Sequence, residues 1–113
     1  RFVYLWGEPG AGKTHLLRAL AGNPRTRHLP AGAGTDAYLV DAGVDLYLMD
    51  DCDRLAPDAQ VAAFSLYNQV KENGGLLVAA GDKPPAQLAL REDLRTRLGW
   101  GLIYQVHGLT DDE

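Results

Sequence analysis

Cysteine is nearly missing from this chain. Cys52 is the single one in 113 residues, which excludes an internal disulfide and suits a reducing compartment. Basic charge is also scarce: 11 Lys and Arg stand against 15 Asp and Glu, for a formal net charge of −4 and a pI near 5.2. That balance argues against a dedicated nucleic-acid surface, so no direct reading of DNA is expected of this domain. No apolar run approaches the ~20 residues of a membrane span, and no secretory leader is recognisable. A soluble, cytoplasmic protein without membrane contact is therefore expected. With 46% hydrophobic residues the chain can bury one core, which is what a single domain of this length needs. It opens directly in a strand-like segment and stops soon after another. Residues 1–113 are accordingly expected to be the core of a longer protein.

What is present is concentrated near the start. Gly7-Glu8-Pro9-Gly10-Ala11-Gly12-Lys13-Thr14 is a complete G-x-x-x-x-G-K-[ST] loop, followed by His15. Phe2 to Trp6 before it reads as a buried strand, and His15 to Ala21 after it as a helix. Strand, glycine loop and helix in that order are the setting a phosphate-binding loop requires. Glycines let successive backbone N–H groups turn toward phosphate oxygens, and the helix N-terminus adds partial positive charge. Lys13 would reach the β- and γ-phosphates, and the Thr14 hydroxyl would ligate Mg²⁺. The competing reading is a glycine turn that carries Lys-Thr by chance.

Downstream, strands and helices alternate. Gly22-Asn23-Pro24 should end the first helix. Residues 27–30 suggest a short second strand, and Ala31 to Thr35 a flexible loop. Ala37 to Asp41 fits either a brief strand or a half-turn. Val44 to Met49 predicts a strand ending at Asp50-Asp51. A helix from about Pro57 to Glu72 would bury Val61, Phe64, Leu66, Tyr67 and Val70. Leu76 to Ala80 is a near-continuous apolar run, as in a central parallel strand. Leu88 to Leu98 is partly helical, and Gly101 to Val106 is a last strand. The pattern is α/β with a largely parallel sheet and helices on both faces.

Three further clusters carry candidate chemistry. Asp50 ends a strand, where phosphate-loop NTPases hold Mg²⁺, and Asp51 is placed to polarise an attacking water. The competing reading is an acidic turn. Asp82, in Gly81-Asp82-Lys83-Pro84-Pro85, lies at the C-terminal edge of a buried strand, where open α/β sheets bind ligands; an aspartate turn before two prolines is equally compatible. Arg91, Arg95 and Arg97 lie close together. Spacing alone favours helix ion pairs, Glu92 with Arg95 and Asp93 with Arg97.

Taken together, four segments resemble the DnaA branch of the AAA+ ATPases. They are Leu5 to Leu17, Leu46 to Asp51 with its Asp-Asp version of the second acidic motif, Gly81 to Pro85, and Leu94 to Leu102. Within that branch Ser65 to Asn68, Leu88 to Leu94 and Gly108 to Glu113 are most similar to the Hda family. The resemblance implies a phosphate-loop AAA+ core that binds ATP or ADP with Mg²⁺. It makes Asp82 the sensor 1 residue and Arg97 an arginine finger acting in trans. It implies that the protein, with the DNA-loaded sliding clamp, promotes hydrolysis of ATP held by DnaA. Intrinsic hydrolysis would be weak, and homo-oligomers are possible. The core of the initiator DnaA and a helicase-loader ATPase are the alternatives. The stretch from Gly22 to Val44 is short for the family, so its second strand and helix should be reduced. The helical lid and the clamp-binding segment are not among these residues.

Overall fold

A computed structural model describes residues 1–10 and 12–107. Ala11 of the phosphate loop and the segment 108–113 lie outside the described residues. Among the described residues five strands form one sheet: β1 (Phe2–Trp6), β2 (Thr26–Leu29), β3 (Leu46–Met49), β4 (Leu76–Gly81) and β5 (Leu102–Gln105). Their order is β2-β3-β4-β1-β5, and every pairing is parallel. The apolar run 76–80 is thus the middle strand, as expected. Three α-helices of the described residues pack on it: α1 (Lys13–Leu20), α2 (Pro57–Asn73) and α3 (Glu92–Leu98).

Period-two alternation splits the strands between two cores. Tyr4, Ala79, Met49 and Leu29 are aligned across the sheet, and they pack with Ala63, Leu66 and Val70 of α2 and with Leu94 and Leu98 of α3. The opposite face carries Leu5, Leu48, Val78 and Ala80, which pack with Leu17 of α1. Both faces are covered, as a parallel sheet needs.

Local chemistry explains the boundaries of α2. Pro57 sits at its first turn, where a missing N–H costs nothing, and Gly74 at φ 85° ends it. Its buried stripe is Ala59, Ala63, Leu66, Tyr67 and Val70. Val61, expected inside, is 49% exposed. Small Ala59 and Ala63 take the inward positions and let the helix lie close to the sheet.

Two expectations for the β2–β3 connection are corrected or resolved. Residues 37–41 are the half-turn alternative: a 3₁₀ turn spans Thr35–Tyr38 and buries Tyr38. The connection is also better anchored than a flexible loop. Ala33 and Ala37 pack against the main core, and the Arg27 guanidinium donates to the Ala37 and Leu39 carbonyls at 3.1 and 2.9 Å. No α-helix joins β2 to β3, in keeping with the shortened stretch in the sequence.

The helix ion pairs expected in α3 are absent. Asp93 instead takes Arg91, at 3.1 Å, because Arg91 stands just ahead of the first turn with extended backbone and reaches over it. Arg95 donates to the Leu88 carbonyl at 3.3 Å, and Arg97 turns to α2.

Gly101 joins α3 to β5 at φ 73°. A Cβ there would collide with the Phe2 backbone carbonyl, so both the backbone angle and the close approach demand glycine. Gly101→Ala is expected to destabilise the fold by about 2 kcal/mol or more. Urea denaturation measures this, and an unchanged midpoint would contradict it.

Candidate nucleotide-binding site

β1 delivers the chain at the C-terminal edge of the sheet, and Gly7 N–H donates to the Gly81 carbonyl at 3.3 Å. The glycine loop is thereby tied to the end of β4. Gly10 and Gly12 sit at φ 87° and 100°, a region L side chains rarely adopt, which is why the motif carries glycine at these positions. Gly12 caps α1, and Leu16 N–H returns to its carbonyl at 3.0 Å.

Lys13 is the first residue of α1 and is buried. Its ammonium donates to the Gly7 carbonyl at 2.5 Å and the Glu8 carbonyl at 3.0 Å. Asp82 Oδ1 lies 3.3 Å from the same nitrogen. One helical step on, the Thr14 hydroxyl donates to Asp50 Oδ2 at 3.1 Å. Asp50 is itself buried, and its Oδ1 accepts the Asp51 N–H at 2.9 Å. Asp51 is the one non-glycine with positive φ among the described residues, at 50°. That left-handed step turns the chain so that Asp51 and Arg54 both line the cleft.

The cleft has a volume of about 410 Å³. Pro9, Gly10, Gly12, Lys13, Thr14 and His15 form one wall; Asp51, Arg54 and Asp82 form the other. Gly7 and Glu8 serve it from behind through the carbonyls that hold Lys13. The structure therefore brings together the loop, the acidic pair and Asp82, residues separated by up to 75 positions. Asp50 contributes through Thr14. Arg97 is not among the cleft residues. Its neighbour Trp100 packs on Phe2 with ring centroids 5.6 Å apart, at the start of β1, a strand's length from the loop.

Thr14 and Asp50 fit a hard divalent cation. They place a hydroxyl and a buried carboxylate side by side, both oxygen donors. Among the described residues no group of three or more His, Cys, Asp or Glu could cage a metal. Mg²⁺ suits such a sparse site, since it keeps waters and takes phosphate oxygens along with one or two protein ligands. Bound there, the ion would neutralise charge on the phosphates; Thr14 and Asp50 would hold it and Lys13 would share that task.

Two residues of the site were not legible. Arg54 adds a cation to the cleft wall, and only its place shortly after the acidic pair hinted at this. Asp53 is a near neighbour of Asp82. Burial, and then the neighbouring Asp82 carboxylate, push the Asp53 carboxyl above the ordinary carboxylate range, and its Oδ1 is buried without a hydrogen-bond partner. Tyr4 closes this end of the sheet by donating to the Lys83 carbonyl at 2.6 Å, and burial keeps its phenol protonated. Cys52 behaves as a small apolar residue. Its thiol donates to the Ala80 carbonyl at 2.9 Å, and burial pushes its pKa up, which leaves no thiolate for redox chemistry.

The parallel sheet, its strand order and the glycine loop at the head of α1 define a phosphate-loop NTPase fold of the AAA+ class. The sequence model for the bacterial DnaA ATPase domain matches residues 38–105, more than half of the chain. The protein belongs to that family, in the DnaA branch of AAA+ ATPases. It is 36% identical over 127 aligned residues to an uncharacterised protein of Haemophilus influenzae, covering 99% of this chain and 54% of that protein. Domain III of the Thermotoga maritima replication initiation protein DnaA is similar in fold, with a TM-score of 0.80 at 21% identity over 95% of this chain and 55% of that one. DnaA from Aquifex aeolicus bound to AMPPCP has a TM-score of 0.78 at 23% identity, over 92% of this chain and 39% of that one. The chain thus spans about half the length of the relatives it matches. Among the described residues no helix is long and apolar enough to cross a membrane.

The position of Asp53 gives stability a pH dependence of definite sign. The folded protein binds this proton more tightly than the unfolded chain does. Ionising Asp53 therefore costs stability increasingly as pH rises above its ordinary value near 3.9. Asp53→Asn removes that cost. Its denaturation midpoint is expected to exceed the parent's at about pH 7.5, with the gap shrinking toward about pH 3.5. Equal midpoints at neutral pH would refute the assignment.

Proposed function

We propose that this chain is the adenine-nucleotide-binding core of an Hda-like regulator of replication initiation. Residues 1–113 would be the AAA+ core of a longer parent, whose lid and clamp-binding segment lie elsewhere in that protein. Docked on the DNA-loaded sliding clamp, the parent promotes hydrolysis of ATP held by DnaA and so turns the initiator off. It works in the cytoplasm, reads no DNA through this domain, and is able to self-associate. Lys13 holds the phosphates of ATP or ADP, backed by the loop amides and His15. Thr14 and Asp50 hold Mg²⁺. Asp82 senses the γ-phosphate through its link to Lys13. Asp51 lines the same cleft and orients water, which supports at most weak intrinsic hydrolysis because its carboxylate is short. The AMPPCP bound by the Aquifex neighbour supports an adenine nucleotide as the ligand.

The observation that carries this reading is the location of Arg97. It has no carboxylate within salt-bridge distance among the described residues, and it sits at the far end of β1 from its own phosphate loop. A guanidinium so placed serves a nucleotide on another subunit. The match to the DnaA ATPase domain family favours a second reading, in which the chain is the core of the initiator itself.

Arg97→Ala in the full-length parent is expected to leave its own nucleotide affinity intact. It should lower the stimulated hydrolysis of DnaA-bound ATP by about 10³-fold or more. Unchanged stimulation would sink the finger assignment. Lys13→Ala is expected to weaken ADP binding by about 10- to 100-fold, the loss of charge-assisted hydrogen bonds. An unaltered calorimetric titration would rule out the loop assignment.

A further inference from the structure

Arg97 leaves the last turn of α3 and crosses to α2. Its guanidinium carbon lies 4.1 Å from the Trp100 ring centroid and 4.8 Å from that of Phe64. Its Nε donates to Asn68 Oδ1 at 3.1 Å. Phe64, Asn68 and Lys71 follow i, i+4, i+7 spacing and so share one stripe of α2. Lys71 stands 4.8 Å from the Trp100 centroid and Phe2 5.6 Å from it, which fixes that indole.

The division of labour around the guanidinium is informative. The cation lies over the Trp100 and Phe64 rings, which offer it no oxygen acceptor. Asn68 consumes Nε alone. The two terminal amino groups have no hydrogen-bond acceptor among the described residues. Arg91 of the same segment is closed instead: both its Nε and a terminal nitrogen go to Asp93, at 3.2 and 3.1 Å. A carboxylate at position 68 could take Arg97 in that two-point way and neutralise it. A neutral amide fixes the plane of the group and leaves its charge and its outer fork unspent.

We propose that Asn68 is the positioning residue for Arg97. It holds Nε so that both terminal amino groups face the phosphate oxygens of a nucleotide carried by a neighbouring subunit. This rests on the finger reading of Arg97. Orienting the group before subunits meet removes a cost from the hydrolytic step, and small misplacements of such groups are expensive.

The test uses the full-length parent with ATP-loaded DnaA and the DNA-bound clamp, following hydrolysis as the parent is titrated. Asn68→Ala is expected to lower the saturating rate by about tenfold or more. The half-maximal parent concentration and its own ADP affinity should stay within about twofold, because Asn68 acts on orientation rather than docking. Asn68→Leu, which keeps volume but offers no acceptor, should lose as much. In an Arg97→Lys background, whose lysine has no Nε, adding Asn68→Ala should change the residual rate by less than about twofold. A saturating rate within twofold of the parent for Asn68→Ala, while Arg97→Ala abolishes stimulation, overturns the role of Asn68 alone. A full loss in the Arg97→Lys background, or a loss confined to the half-maximal concentration, overturns it as well. Indifference to Arg97→Ala overturns the finger reading, and this inference with it.

Discussion

The buried ammonium of Lys13 is the interaction around which the rest of the site is arranged. A charge taken out of water must be compensated, and here the loop's own Gly7 and Glu8 carbonyls and the Asp82 carboxylate do so. Those three partners come from one loop and the end of β4. The parallel register that aligns Trp6 with Gly81 is what brings them together. Shift that register by one residue and Asp82 would leave the lysine. The sheet is therefore the device that sets the electrostatics of the cleft, through strands whose side chains never enter it.

The same sheet separates the cleft from Arg97 in space. The glycine loop and the acidic residues gather at the C-terminal edge, where Thr14 and Asp50 also meet. Arg97 lies near the N-terminal end of β1, against the Phe2–Trp100 pair. One subunit thus offers the cleft on one side and, on another, a guanidinium with no carboxylate partner among the described residues. Such an arrangement suits head-to-tail association, in which unlike surfaces meet. Phe64, Asn68 and Trp100 hold that guanidinium in place.

Much of this was legible in the sequence, for physical reasons. Continuous apolar runs such as 76–80 announce a strand buried on both faces, and Gly10 and Gly12 occur where the backbone takes positive φ. What failed was information that spacing does not hold. Helical periodicity identifies a stripe but not which of two neighbouring stripes meets the sheet, so Val61 was placed inside and Ala59 overlooked. Ion pairs inferred within α3 ignored partners from elsewhere in the chain: Asn68 lies 29 positions from Arg97 yet wins its Nε. Arg54 reaches the cleft, and Asp53 comes beside Asp82, after Asp51 turns left-handed, a local event no pattern of residue types announces. The site's chemical core was readable, and its supports were not.

As proposed, this protein acts on a nucleotide held by another subunit. The most direct measurement follows hydrolysis of ATP bound to DnaA, with the DNA-loaded clamp present, as the full-length parent is titrated in. A saturable rise in rate is the predicted result. A rate that stays flat at saturating parent, with the parent's own nucleotide binding intact, would contradict the account and favour the initiator-core reading.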